Sequence, residues 1–173
     1  MSLYIPPDYY ESNNPLIFLA GPIQGAPRWQ NKAVEILNKA NNSIEIASPR
    51  YIGEEEEIIG NWAPNITSQQ QIDWETYHLK KAGENGVILF WLSKEERHYC
   101  ERAFAQASRF ELGEWKQKHL SNNAKLVVGI DPSFSGRGYI KYRLSKECPD
   151  IPIESTLEKT CYSALELLSF GKN

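Results

Sequence analysis

The sequence predicts an α/β fold of three layers, in which helices cover both faces of a parallel five-stranded sheet. Short apolar runs alternate along the chain with longer segments whose apolar residues recur at helical spacing. The apolar runs are continuous, which is typical of strands buried on both faces, and such strands form parallel sheets. The 173 residues fit one domain. We expect residues 15–173 to form that single α/β domain and residues 1–14 to form an N-terminal extension.

The order of the elements follows from these runs. Gly21-Pro22 ends the first run and Ser48-Pro49 ends the second, as turn residues do after buried strands. Thr67 or Ser68 is expected to cap the helix before the central strand. The predicted strands are 16–20, 43–47, 86–92, 126–130 and 151–153; the predicted helices are 29–40, 68–81, 101–119 (with a break near Ala107–Ser108) and 155–170, with one more helix optional before the last strand and a loop over 50–67.

Composition excludes several classes of function. The 19 Lys+Arg and 22 Asp+Glu give a net charge of −3 without a basic stripe, so we expect no nucleic-acid polymer as partner. The longest apolar run, 87–92, is too short to cross a bilayer, and residues 1–14 carry no signal pattern. Three scattered cysteines and three histidines without ligand spacing predict reduced thiols, no metal and no cofactor. A cytoplasmic location follows from these expectations.

The loop after the first strand is the first candidate site, because ligands of parallel sheets bind beyond the carboxyl ends of the strands. It reads Gly21-Pro22-Ile23-Gln24-Gly25 and lacks both the second glycine of a dinucleotide fingerprint and the lysine of a phosphate-binding loop. Two glycines would still let a ligand approach the backbone. A tight turn into a helix explains the same residues equally well.

The segment 108–115 is the second candidate. Ser108 and Glu111 have the spacing of a capping box, which is the ordinary explanation for such a pair. Three features favour a site instead. The segment follows the central strand. A carboxylate near a helix N-terminus is held ionised, as a nucleophile should be. Gly113 costs about 1 kcal/mol inside a helix, which suggests close packing or the close approach of another group there.

Two acids on the preceding helix and one tryptophan complete the candidates. Asp73 and Glu75 are two positions apart and cannot share a helix face, so they do not form an obvious pair. Either one could assist Glu111, although two solvated surface acids are the commoner outcome. Trp91, at the end of the most apolar run, is the best candidate for stacking on a planar base, and the other tryptophans are assigned to packing.

Three segments together resemble the nucleoside 2-deoxyribosyltransferase family, and in particular its 2-deoxyribosyltransferase-like branch. They are Ile17-Phe18-Leu19-Ala20-Gly21-Pro22-Ile23, Gly86-Val87-Ile88-Leu89-Phe90 and Phe110-Glu111-Leu112-Gly113, and the resemblance covers about residues 15–131. It implies a flavodoxin-like or Rossmann-like fold and no metal. It also implies transfer or hydrolysis at the N-glycosidic bond of a 2′-deoxynucleoside or deoxynucleotide, with a free nucleobase as the second partner.

The resemblance also implies roles for individual residues. Glu111 matches the family's nucleophile, which attacks C1′ and forms a deoxyribosyl ester with net retention. Glu75, or Asp73 as second choice, matches the acid that contacts the sugar or protonates the departing base. Ser108 and Arg109, at the predicted helix start, could bind a 5′-phosphate. The candidate substrate-binding residues are therefore Phe18, Gly21, Pro22, Ile23, Gln24, Trp91, Ser108 and Arg109.

The sequence departs from the family at one position that matters. Phe18 stands where the family often has an aromatic hydroxyl that touches the nucleophile. This departure motivates an alternative, a non-catalytic nucleoside- or nucleotide-binding or sensing module. A third interpretation is a structural interaction domain in which Glu111 is only a capping residue. A neighbouring subunit completes the site in several members, so we expect a homo-oligomer, with Lys141-Tyr142 as the region to search for the donor.

Overall fold

A parallel sheet organises the computed structural model, which describes residues 2–50 and 66–169. Within these ranges six strands lie in the order β1-β3-β2-β4-β5-β6. The strands are β1 (Ser2–Tyr4), β2 (Leu16–Ala20), β3 (Glu45–Ala47), β4 (Gly86–Leu92), β5 (Leu126–Ile130) and β6 (Ile153–Glu154), and the helices are α1 (Trp29–Ala40), α2 (Ser68–Glu84), α3 (Gln106–Asn122), α4 (Arg137–Glu147) and α5 (Leu157–Ser169). Without β1 the order is that of the flavodoxin-like folds, so the predicted fold class is confirmed. Most of the predicted 50–67 loop lies outside the described residues.

The predicted number of strands, five, is too low by one. The sixth strand, β1, comes from the segment expected to be an extension, and it pairs in parallel with β3 from Ser2 opposite Glu45 to Tyr4 opposite Ala47. A three-residue edge strand carries no periodicity that a sequence pattern can detect, which explains the difference. No helix of the described ranges is long and apolar enough to cross a membrane.

The side chains of β4 show why the sheet has helices on both faces. Val87, Leu89 and Trp91 join one buried cluster with α1 and α5. The alternate residues Ile88, Phe90 and Leu92 join a second cluster with α2, α3 and α4. All six side chains are at least nine-tenths buried. The continuous apolar run therefore reflects burial on both sides, as predicted.

Three buried or partly buried hydrogen bonds connect the residues after β1 to α2. The Tyr10 N–H donates to His78 Nε2 at 3.0 Å, and the Trp74 indole N–H donates to the Asp8 carbonyl at 2.6 Å. Tyr77 adds a bond from its hydroxyl to the Tyr10 carbonyl at 2.7 Å. Burial lowers the pKa of His78 to about 4, so its ring is neutral and Nε2 accepts. These three hydrogen bonds join α2 to the residues that follow β1.

The helix starts differ from expectation in α3. Thr67 caps α2 as predicted, in a capping box with Gln70. Helix α3, however, begins at Gln106, after Ala105 in the left-handed conformation at φ 57°, and no side chain caps it. The predicted helix from residue 101 is therefore wrong in its first turn, and the capping box of Ser108 and Glu111 does not form. The capping role that the third interpretation gives to Glu111 is therefore wrong.

The two helix-interior glycines offer a test of packing. A Cβ on Gly113 would have no atom within 4 Å, so the expected close packing there is wrong. A Cβ on Gly83 in α2 would overlap the Trp115 ring. We expect Gly113→Ala to raise the free energy of unfolding by about 0.5–1 kcal/mol, because alanine loses less backbone entropy. Gly83→Ala, the matched control, should lower it. Urea unfolding measures both, and a destabilised Gly113→Ala variant would contradict this account of α3.

Candidate functional site

A cleft lies at the carboxyl end of β2, on the face of the sheet that α2 and α3 cover. Its cavity volume is about 110 Å³, and the cleft is open to solvent. Four segments form its walls: the end of β2 with its loop, the residue after Ser48, one residue of α2, and the chain leading into α3. The lining residues are Phe18, Ala20, Gly21, Pro22, Ile23, Gln24, Pro49, Glu75, Arg102, Ala105, Gln106, Ala107, Ser108 and Glu111.

Two carboxyl groups face this cleft from different helices. Burial raises the pKa of Glu75, on α2, to about 7. Burial also raises the pKa of Glu111, on α3, to about 8, with smaller contributions from the charges of Glu75 and Glu114. Because the charge of one acid affects the other, the two titrate as a coupled pair. Near neutral pH the pair therefore retains a proton that two exposed glutamates would have lost.

The expected ionisation of Glu111 by the helix dipole is wrong. Helix α3 begins at Gln106, so Glu111 lies in the second turn, beyond the free N–H groups of the helix start. The dipole effect falls off within the first turn. Burial then dominates and favours the protonated acid.

A buried glutamine orients Glu75. The Gln71 side-chain amide donates to Glu75 Oε1 at 2.7 Å and to the Pro49 carbonyl at 2.9 Å. Both acceptors need a donor, so the NH₂ group must face them, and Gln71 Oε1 is left without a partner among the described residues. The bond to Glu75 opposes the rise of its pKa. The spacing of four residues on one helix face could have identified this pair from sequence.

The loop after β2 has two positions that require glycine, Gly21 and Gly25, and Gly21 lies in the wall of the cleft. Gly21 has φ 150°, and a Cβ there would overlap the Trp91 carbonyl on the neighbouring strand. The next residue is held from the other side, where the Trp29 indole N–H donates to the Pro22 carbonyl at 2.9 Å. Contacts with α1 and β4 therefore fix this wall of the cleft, which consists of Gly21, Pro22, Ile23 and Gln24.

The structure brings together most of the residues that the sequence singled out, but not all. Phe18 and Ser108 line the cleft and are 1% and 4% exposed. Trp91 lies on the opposite face of the sheet, in the cluster with α1 and α5, and does not line the cleft. Asp73 is exposed on α2 and does not line it either.

Arg109 is also turned away from the cleft. Its guanidinium donates to the Ser135 carbonyl at 2.7 Å and lies 4.5 Å from the centre of the Phe134 ring. The arginine that lines the cleft is Arg102, which the sequence did not single out. The left-handed turn at Ala105, which brings Arg102 to the cleft edge, has no sequence signature, since alanine rarely adopts it.

Two further sequence expectations concern a neighbouring subunit and a metal ion. Lys141 and Tyr142, the expected donors to a neighbouring subunit, lie on α4 and do not line the cleft of their own chain. In the part of the chain that the structure describes, no three His, Cys, Asp or Glu side chains are grouped to hold a metal ion.

Comparisons with known proteins agree with this architecture. The chain is similar to a conserved protein from Enterococcus faecalis V583, whose crystal structure matches with a TM-score of 0.52 at 14% identity, over 90% of this chain and 99% of that one. At this identity the likeness shows the fold alone. The sequence matches none of the curated proteins.

A family model gives the more specific result. The model described as "Nucleoside 2-deoxyribosyltransferase like" matches residues 14–134. That segment is well over half of the chain, and it contains β2, β4 and the two helices that carry Glu75 and Glu111. The chain therefore belongs to the nucleoside 2-deoxyribosyltransferase-like family.

Proposed function

We propose that this protein cleaves the N-glycosidic bond of 2′-deoxynucleosides or deoxynucleotides and passes the deoxyribosyl group to a second base or to water. The family supports a glycosyltransferase-type enzyme in general terms. The observation that carries the specific proposal is the pair of buried carboxyl groups, Glu75 and Glu111, in one cleft with pKa values near neutrality. Such a pair supplies the nucleophile and the proton donor that glycosidic cleavage requires.

In the first step Glu111 acts as the nucleophile. Its carboxylate attacks C1′ while the C1′–N bond breaks, through a transition state with oxocarbenium character. The electron pair of the broken bond goes to the base, which takes the proton of Glu75 because an unprotonated base is a poor leaving group. The products are a neutral base, a deoxyribosyl ester on Glu111 and a Glu75 carboxylate.

In the second step the ester is opened. A second base or water attacks C1′ from the face that the first base left, and its proton passes to Glu75. The ester C–O bond breaks and its electron pair returns to Glu111. Two inversions give net retention, and both acids are back in their starting protonation states.

This sequence of steps defines the reactive form of the site. Glu111 must be ionised and Glu75 protonated, so a single proton must reside on the pair. Buried groups that titrate at about 7 and about 8 hold one proton within the physiological range, whereas two exposed glutamates would hold none. In the free cleft the shared proton resides more often on Glu111, because its pKa is the higher of the two. The reaction uses the other form, in which Glu75 carries the proton and Glu111 is ionised.

The alternative of a binding or sensing module rests on Phe18. This ring lines the cleft in the place where the resemblance leads us to expect a hydroxyl beside the nucleophile, and it offers no hydrogen bond to Glu111. A module of this kind would show a rise in melting temperature with deoxynucleosides or deoxynucleotides but no base release over hours.

The first prediction concerns the nucleophile. Glu111→Gln keeps the shape of the side chain but cannot form the ester, so base release should fall by about 10³-fold or more. Asp73→Asn, a matched acid-to-amide change at an exposed position of α2, should leave the rate unchanged. Chromatography measures base release from the four deoxynucleosides and their monophosphates, with and without a second free base. Unchanged turnover by Glu111→Gln would contradict the assignment of Glu111 as the nucleophile.

The second prediction concerns pH. If the reactive form holds one proton, kcat/KM should peak between about pH 7 and pH 8 and fall on both sides, because the pair is doubly protonated below this range and fully ionised above it. Glu75→Gln cannot donate the proton and should remove the alkaline limb. A profile whose alkaline limb survives in Glu75→Gln would assign the proton donor elsewhere.

The third prediction concerns stability. The pKa of Glu111 is raised from 4.5 to about 8 in the folded protein, so between these values the unfolded chain ionises while the folded chain does not. Ionisation then favours unfolding, and the free energy of unfolding falls as pH rises through this window. Glu111→Gln, which cannot ionise, should melt several degrees above the wild type at pH 8.5.

The difference in melting temperature between Glu111→Gln and the wild type should vanish towards pH 4, where both states of the wild type are protonated. Asp73→Asn is again the matched control and should show no such pH-dependent gain. Melting followed by circular dichroism measures each variant. A gain that is equal at pH 4 and pH 8.5 would mean that burial of the charge is not its cause.

A further inference from the structure

We propose that Gln71 is a positioning residue for the proton donor: it keeps Oε1 of Glu75 occupied, so that the proton of this acid resides on Oε2, towards the departing base. This inference rests on the proposed function and deepens it, because it states which atom of Glu75 delivers the proton and which side chain enforces that choice. Gln71 does not line the cleft itself and acts on the reaction only through Glu75.

The contact between Gln71 and Glu75 lies on one face of α2. The two residues are four positions apart, so their side chains are neighbours on the helix surface. The Gln71 amide donates to Glu75 Oε1 at 2.7 Å. Gln71 is 0% exposed, whereas Glu75 is half-buried and lines the cleft. The bond therefore reaches the carboxyl group from the protein interior and leaves its other side to the cleft.

The carbonyl of Pro49 decides which way the Gln71 amide points. The same NH₂ group donates to this carbonyl at 2.9 Å. A carbonyl oxygen only accepts, so a reversed amide would place two acceptors against each other. Gln71 Oε1 has no partner among the described residues, and a buried acceptor without a donor is unfavourable. The amide thus gives up one hydrogen bond of its own and keeps a donor on Glu75.

The acceptor that fixes the amide is itself held at the edge of the sheet. Pro49 follows β3, and the residues on both sides of it are hydrogen-bonded. The Ser48 N–H donates to the Tyr4 carbonyl at 2.9 Å, next to the pairing of β1 with β3. The Arg50 guanidinium donates to the Pro27 carbonyl at 3.0 Å. The Pro49 carbonyl is therefore a fixed point for the amide, and a positioning group needs such support.

A donor at Oε1 determines where a protonated Glu75 carries its hydrogen. An amide N–H needs a lone pair, and the carbonyl oxygen of a carboxylic acid is a better acceptor than its hydroxyl oxygen. The proton is therefore on Oε2, which forms no hydrogen bond with a described residue and is not among their buried side-chain atoms without a partner. Oε2 thus meets the open space of the cleft, where the departing base takes its proton.

Two other charged side chains share the cleft with this acid. Of the described residues that line the cleft, only Glu75, Glu111 and Arg102 are ionisable. Burial raises the pKa of Glu75, and the bond from Gln71 opposes that rise. The charge of Glu75 in turn contributes to the raised pKa of Glu111. Loss of the bond should therefore raise the pKa of Glu75 further, and replacing Glu111 removes the neighbour that is coupled to it.

The experiment is a double-mutant cycle of Gln71→Met and Glu75→Gln. Methionine has a similar length to glutamine but cannot donate. Gln71→Met should lower kcat/KM for deoxynucleosides by about 10-fold, which is part of the roughly 10²–10⁴-fold that a positioned acid contributes. In the Glu75→Gln background the same substitution should change nothing, because no proton is left to position. Gln69→Met, at an exposed position of α2, is the matched control and should leave the rate unchanged in both backgrounds.

A substrate that needs no proton provides a second measurement. In N7-methylated 2′-deoxyguanosine the base is already cationic, so it leaves as a neutral molecule when it takes the electron pair of the C1′–N bond. Gln71→Met and Glu75→Gln should therefore leave its cleavage unchanged. An equal loss with the methylated and the unmethylated nucleoside would mean that Gln71 only supports the structure, and it would overturn the inference.

Titration of Glu75 provides a third measurement that does not depend on turnover. In Glu111→Gln the carboxyl carbon NMR signal of Glu75, identified by its loss on addition of Glu75→Gln, reports this acid without its coupled neighbour. Gln71→Met should raise the pKa of Glu75 in this background, because the lost bond favours the ionised form. Gln69→Met should leave it unchanged. An unchanged pKa in Gln71→Met would show that the amide does not act on Glu75.

The outcomes separate this inference from the proposed function. If deoxynucleosides are cleaved, but Gln71→Met has the same effect in both backgrounds of the cycle, the role of Gln71 is overturned and the proposed function stands. If no substrate releases base while Gln71→Met raises the pKa of Glu75, the control of this proton by Gln71 stands and the proposed function is overturned. If neither base release nor a change in the titration is found, both are overturned.

Discussion

Burial of two carboxyl groups in one cleft is the constraint on which the rest of the site depends. Glu75 and Glu111 come from different helices, and each has its pKa raised mainly by burial. An ionised carboxylate in such a place is unfavourable unless it is hydrogen-bonded or shares a proton with a neighbour. Gln71 supplies such a hydrogen bond to Glu75, whereas the charge of Glu75 adds to the rise in the pKa of Glu111. The same burial that destabilises the charged forms places their titration near neutral pH.

Keeping both helices on one face of the sheet requires contacts far from the cleft. Helix α2 is joined to the residues after β1 by the Trp74 indole N–H, which donates to the Asp8 carbonyl, and by His78 Nε2, which accepts from the Tyr10 N–H. Its inner side is tied to the residue after Ser48 by the bond from Gln71 to Pro49. The short strand β1 therefore also affects the site. Its pairing with β3 fixes the start of the segment that is hydrogen-bonded to α2, the helix that carries Glu75. Fold and site are connected through these buried polar bonds, whose loss leaves partners unsatisfied.

The main features of the fold are predictable because they are local. Strands β2, β4 and β5 are continuous apolar runs, and parallel connection through helices brings their carboxyl ends to one edge. Residue patterns are therefore enough to place the motif around Glu111 near the loop after β2. Strand β1 escapes prediction because three residues carry no pattern, and the start of α3 is misplaced because residues 101–105 are compatible with a helix. Phe104 instead packs towards Phe134, 6.2 Å between ring centres, and the chain turns at Ala105.

Residue patterns alone predict the main strands and helices from β2 onwards, the parallel sheet, the family resemblance and the candidacy of Glu111 and Glu75. These depend on residue type and spacing, which local periodicity and motif order report directly. Three features of the site come from packing between distant segments: the acids are half-buried with raised pKa values, Trp91 faces the other side of the sheet, and Arg102 rather than Arg109 reaches the cleft. The physical reason is the same in each case. Burial and the availability of a donor depend on groups distant in sequence, as Arg109 shows by bonding to a carbonyl 26 positions away.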